Sequence, residues 1–165
     1  MTVISSIKNP EALSFVLVAE LDADVKRVWQ IWEDPRQLER WWGPPTWPAT
    51  FSQYEFTPGG EASYHMTGPE GEKGYGWWRI TDIEAPHRLE FDEGFADDNG
   101  APVEAMGSAH ATVTLEDIGG RTRMTIHSVF ESEEQMNQMM EMGMEEGMKE
   151  AAGQIDALLA EPARA

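Results

Sequence analysis

Ser132-Glu-Glu-Gln-Met-Asn-Gln-Met-Met-Glu-Met-Gly-Met-Glu-Glu-Gly-Met-Lys-Glu-Ala-Ala-Gly-Gln-Ile-Asp-Ala-Leu-Leu-Ala160 is the one long segment of this chain in which apolar residues recur at helical spacing. Met136, Met139, Met140, Gly143, Met144, Gly147, Met148, Ala151, Ile155, Leu158 and Leu159 make a broad stripe with a period near 3.6 residues. Acidic and amide side chains cover much of the other side. Ser132 and Gln135 have the spacing of a capping box, in which the hydroxyl caps the first turn and the amide reaches back. Pro162 follows the far end. The pattern predicts a helix from this cap to about Ala160, and about 25 helical residues reach nearly 40 Å.

Upstream, the period changes. From about residue 46 to residue 130, short segments of β-forming residues alternate with turn signals. Residues 50–57, 61–67, 74–83, 88–93, 103–116 and 121–130 are predicted strands, separated by Pro58-Gly59-Gly60, Gly68-Pro-Glu-Gly71, Ala85-Pro86, Asp97-Asp-Asn-Gly100 and Gly119-Gly120. Residues 13–21 form an earlier strand. Between these regions, Asp22-Ala-Asp supplies a cap for a helix over 25–33, with Val25, Val28, Trp29 and Trp32 at helical spacing. Asp34-Pro35 opens a second short helix over 35–42. Joined by short turns, the strands should form a meandering antiparallel sheet.

The resulting expectation is an α+β, helix-grip domain over residues 1–165. A curved sheet of six to seven strands wraps a long C-terminal helix, with two short helices after strand 1. One face of such a sheet must be buried, and only the last helix is long enough to cover it. A sheet curled around one helix need not fill its own concavity, so the leftover space is a candidate pocket.

Composition narrows the function. Hydrophobic residues make up 41% and charged residues 25%, which is globular rather than disordered composition. No apolar run is long enough to span a membrane. The first ten residues show no secretory signal. With no cysteine, disulfides and thiolate metal sites are excluded, and a cytoplasmic location is expected. Thirty acidic against 12 basic residues give a formal charge of −18, which repels phosphate backbones and makes nucleic acid an unfavourable partner.

Several motifs together resemble a known family. Val28-Trp29, Asp34-Pro35, Leu38 and Trp41-Trp42-Gly43-Pro44 look like the N-terminal signature of the SRPBCC or START-like (Bet v-like) superfamily. More narrowly, they resemble the homologues of the activator of the heat-shock protein 90 ATPase. Pro58-Gly59-Gly60 with Tyr64-His65-Met66 and Gly68-Pro69-Glu70-Gly71 is similar to that branch's second signature, and Ile83-Glu84-Ala85-Pro86-His87-Arg88-Leu89 to its third. Gly143, Gly147 and Ile155-Asp156-Ala157-Leu158 match its final helix. The resemblance implies a helix-grip fold with an internal cavity. The superfamily includes lipid carriers, ligand sensors and polyketide cyclases. In the eukaryotic activator, chaperone stimulation depends largely on a separate N-terminal domain, for which this chain has no expected room.

Candidate ligand-binding residues follow from this fold. Seven tryptophans are many for 165 residues. Adjacent Trp77 and Trp78 must face opposite sides of their strand, and Trp41 and Trp42 should sit at the pocket mouth. Such aromatics serve either as packing or as an apolar lining. Met140 and Met144 belong to a Met-rich stripe suited to an adaptable interior. Gly143 and Gly147 each cost about 1 kcal/mol in a helix interior, so they mark either close approach to the sheet or space left open. Tyr64, His65, Tyr75 and Arg79 could orient a polar head group, with Met66 and Phe95 adding apolar surface. Whether His65 or the alternating Tyr64 and Met66 face inward is open.

The four histidines lack metal-ligand spacing, so no metal or cofactor is expected. His65, His110 and His127 lie on predicted strands and could converge. No nucleophile elbow, phosphate loop or dinucleotide fingerprint appears. The leading expectation is a non-catalytic protein, monomer or homodimer, that binds a small apolar or amphipathic molecule. One alternative is a co-chaperone with an exposed apolar patch around Trp41, Trp42 and Trp47. Another is a cyclase- or hydrolase-type enzyme using a cavity histidine or carboxylate.

Overall fold

A computed structural model describes residues 3–161. Its elements, in chain order, are β1 (Val3–Asn9), β2 (Ser14–Leu21), α1 (Val25–Glu33), α2 (Pro35–Leu38), β3 (Ala49–Tyr54), β4 (Glu61–Thr67), β5 (Lys73–Glu84) and β6 (Arg88–Ala96). A 3-10 turn at Glu104–Met106 precedes β7 (Ser108–Asp117) and β8 (Thr122–Phe130), and α3 (Glu133–Glu141), α4 (Met144–Ala152) and α5 (Ile155–Leu159) follow. The strands form one antiparallel sheet in the order β1-β2-β8-β7-β6-β5-β4-β3. It is an α+β helix-grip fold. Register shifts at Phe51/Gln53 and Ile80/Asp82 mark bulges, which bend the sheet around the helices.

There are eight strands rather than six or seven, and the two short helices follow the second strand. The additional strand, β1, pairs along β2 but buries little: Ile7 is 65% exposed. An edge strand without an apolar face carries no alternation to read. Four segments also differ in length, among them β3, which ends at Tyr54 rather than at residue 57. The second helix closes at Leu38, and its chain continues through turns to Trp42. β6 runs on to Ala96, whereas the segment before β7 is a 3-10 turn rather than strand.

The core follows the alternation. Phe15, Leu17, Ala19 and Leu21 of β2 point inward with no exposed surface, and burying each large apolar side chain is worth about 1.5–3 kcal/mol. Val28, Trp29, Ile31 and Trp32 give α1 its buried face. The caps form where the side chains suggested. Asp24 accepts from the Arg27 N–H at 2.8 Å and Asp34 from the Arg36 N–H at 2.9 Å. Ser132 Oγ accepts from the Gln135 N–H at 3.1 Å. The Gln135 amide reaches one residue further back than a capping box requires, accepting from the Glu131 N–H at 2.7 Å.

The C-terminal helical region is not one rod. It breaks after Glu141 and again after Ala152, giving three successive segments. Gly143 sits at the first break with φ of +86°, a left-handed conformation that side chains with a Cβ adopt only with strain. Pro162 lies outside the described residues.

Candidate ligand-binding pocket

Between α3–α4 and the concave face of the sheet lies a pocket of about 440 Å³. Alternation decides which strand residues reach it. Trp78 is 1% exposed, so its strand partners Ala62 and Glu93 share the inner face. By the same alternation Tyr64 and Met66 point inward and His65 outward. The sheet contributes Tyr64, Met66, Glu93, Phe95, Ala109 and Phe130 to the lining. Met139, Met144, Gly147, Met148 and Ala151 form the helical wall, with Met142 and Gly143 at the break. Trp41, Trp42, Pro44 and Trp47 close one end.

That end is held in place by polar contacts to the helices. Gln154 Nε2 donates to the Gly43 carbonyl at 2.6 Å, and Trp41 Nε1 donates to the Ile31 carbonyl at 3.1 Å. Trp42 packs edge-on against Trp78 at 4.9 Å, and Trp78 stacks on Phe91 at 4.0 Å. At the other end, Gln135 Nε2 donates to the Ser108 carbonyl at 3.0 Å and ties α3 to β7. Gly76 permits a close approach: a Cβ there would come within 2.4 Å of the Tyr64 ring, which lies across β5.

Eight of the residues picked out from the sequence line this pocket: Trp41, Tyr64, Met66, Tyr75, Phe95, Gly143, Met144 and Gly147. The other five do not. Trp78 lies in the core, and Met140, partly buried, packs against it. His65 lies on the outer face with its ring tilted against that of Tyr75, which reaches the pocket from the strand edge of the lining, Trp77 lies outside across Gly94, and Arg79 is exposed. The period of two places these last three opposite the inward set. Of the two readings of Gly143 and Gly147, close approach is excluded: a Cβ at either would meet no atom within 4 Å.

His65, His110 and His127 do not come together in the pocket: all three point to the outer face of the sheet, and none is in the lining. His110 lies between Asp92 and Glu90, at 2.8 and 2.9 Å, and His87 Nδ1 is 3.1 Å from the Leu115 carbonyl. Among the described residues no cluster could hold a metal ion. The apolar patch expected around Trp41, Trp42 and Trp47 is instead turned inward, since Trp41 is 2% exposed and all three line the pocket.

The candidate group that the sequence did not single out is Glu93. Among the described residues it is the one charged side chain in the lining, where it is partly rather than fully buried. No hydrogen bond or ion pair from a described residue reaches its carboxyl. Burial pushes that carboxyl up to about 7. Burial also pushes the Tyr64 phenol up, and the nearby Glu93 charge adds to the effect. The indole N–H groups of Trp42 and Trp78 oppose that rise, although neither meets hydrogen-bond geometry and both are buried without a partner. One signal was available beforehand: Glu93 alternates with Phe91 and Phe95, an inward position that should be apolar.

A bent antiparallel sheet holding C-terminal helices over a mostly apolar hollow defines a helix-grip protein. A family model described as Activator of Hsp90 ATPase homolog 1-like protein matches residues 22–160. A solution NMR structure of a protein from Arthrobacter aurescens is 70% identical, covering 97% of this chain and 93% of its own, with a TM-score of 0.92. A crystal structure from Mycobacterium smegmatis is 39% identical, covering 98% and 100%, with a TM-score of 0.90. An AHSA1 protein from Silicibacter pomeroyi, 21% identical over 89% and 97%, shares the fold at a TM-score of 0.72. The chain belongs to the family of Activator of Hsp90 ATPase homolog 1-like proteins. It has no significant match among curated proteins.

Proposed function

We propose that this protein is a cytoplasmic binding protein for a small apolar or amphipathic molecule, held between the helices and the sheet. The observation that carries this reading is the apolar pocket of about 440 Å³, kept open where Gly143 and Gly147 present no side chain. That volume falls within the range of small-molecule sites, and its lining offers apolar burial with few polar groups to orient a ligand. Among the described residues, no helix is long and apolar enough to cross a membrane.

An uncharged naphthyl dye that brightens in apolar surroundings tests the reading. It should bind with micromolar affinity and raise the melting temperature. Gly147→Leu should fill the hollow and abolish dye binding while the circular dichroism spectrum is kept. A protein that binds no apolar probe, or a variant that binds as well as the parent, would refute a ligand in this space.

A second reading rests on Glu93. A buried carboxyl titrating near neutrality is suited to general acid–base chemistry, which favours the carboxylate form of the enzyme alternative over the histidine form. Chaperone stimulation draws its support from family membership. The large exposed apolar side chains among the described residues, Ile7, Val129 and Met142, lie on separate elements.

A further inference from the structure

We propose that the pocket selects a cationic amphiphile, an apolar body bearing a protonated amine, with the Glu93 carboxylate as its counter-charge. This inference rests on the binding reading above and names the ligand's chemistry. Among the described residues Glu93 is the only charged one lining the pocket, and none of them hydrogen-bonds or pairs with its carboxyl. A buried carboxylate without a partner is costly, and an ammonium on the ligand supplies both the missing charge and up to three N–H donors. The lining aromatics Trp42 and Tyr64 suit the same ligand, since aromatic rings attract a cation in a desolvated site.

Among the described residues the lining contains no lysine, arginine or histidine to receive a carboxylate or phosphate head group. An anionic amphiphile would bring a second negative charge beside Glu93. The whole molecule biases the encounter in the same direction, because its formal charge of −18 attracts cations and repels anions. Burial shifts Glu93 toward its neutral form in the empty site, and a bound ammonium would draw it back to the carboxylate.

Decylamine, decanol and decanoate have ten carbons each and head groups that are cationic, neutral and anionic. Their displacement of the uncharged naphthyl dye at neutral pH, in about 0.5 M NaCl to screen the protein's surface charge, isolates the pocket's own preference. Decylamine should bind at least roughly tenfold more tightly than decanol, and decanoate most weakly. Glu93→Gln should bring decylamine's affinity down to within about twofold of decanol's. The wild-type ranking needs no variant, so it decides the matter even if the substitution harms folding. Decanoate matching decylamine, or a preference for amine that persists in Glu93→Gln, would overturn the inference and leave the binding reading standing. Failure of the dye and all three compounds to bind would overturn both.

Discussion

Glu93 combines two properties that ordinarily exclude each other, an inward position on a strand and an ionisable head. Its neighbours along β6, Phe91 and Phe95, are what such a strand needs, and its partners across the sheet are Trp78 and Ala109. The energetic consequence has a definite sign. Its folded-state pKa, about 7, lies above that of a free glutamate, so the folded protein holds the proton more tightly than the unfolded chain does. The stabilising contribution is complete below about pH 4 and is lost as pH rises through 7. Glu93→Gln removes this dependence. Relative to the parent, the variant should gain about 2 kcal/mol between pH 5 and pH 8, measured by urea denaturation at the two pH values. The histidines and the other carboxylates cancel in that difference. An unchanged difference would mean that Glu93 reaches solvent freely. Alternation with Phe91 and Phe95 marks Glu93 as an inward position among 30 acidic residues, but that the pocket opens there comes from the helices that cover it.

The helical segments show what could be read at the scale of elements. The capped start at Ser132 and the apolar stripe were legible because capping chemistry and period are local. The break at Gly143 was not, since a glycine on a helical stripe fits both a continued helix and a left-handed stop. The inward face of β4 was open for a similar reason: Tyr64, His65 and Met66 are all compatible with burial, and only the packing of Trp78 and Phe91 decides among them. β1 escaped because most of its surface stays exposed. The two glycines now separate. Gly147 lies within α4 beside open space, so Gly147→Ala should stabilise by up to about 1 kcal/mol through helix propensity. Gly143 has φ of +86°, and Gly143→Ala should destabilise by about 1 kcal/mol through backbone strain. Thermal melts of the two variants should therefore shift in opposite directions, by about 2–4 °C each for a chain of this size. Shifts of the same sign would show that α3 and α4 can join into one helix.

Across the whole molecule, electrostatics sets two opposing effects against each other. Surface ion pairs are present, including Lys8 with Glu145 at 3.3 Å and Arg88 with Glu84 at 3.0 Å, and salt weakens them. Each exposed pair of this kind is worth only about 0–1 kcal/mol. Against them stands a formal charge of −18, whose mutual repulsion is strongest in the compact state and is also screened by salt. With far more acids than bases, most carboxylates have no cation to lose, so relief of repulsion should dominate. The melting temperature should rise by several degrees between about 10 mM and 0.5 M NaCl. Chloride is the better anion for this measurement, because sulfate strengthens apolar burial whatever the charge. A flat or falling curve would place the balance with the ion pairs instead. Salt should leave the pH-dependent difference between the parent and Glu93→Gln nearly unchanged, since mobile ions screen a buried carboxyl far less than those on the surface.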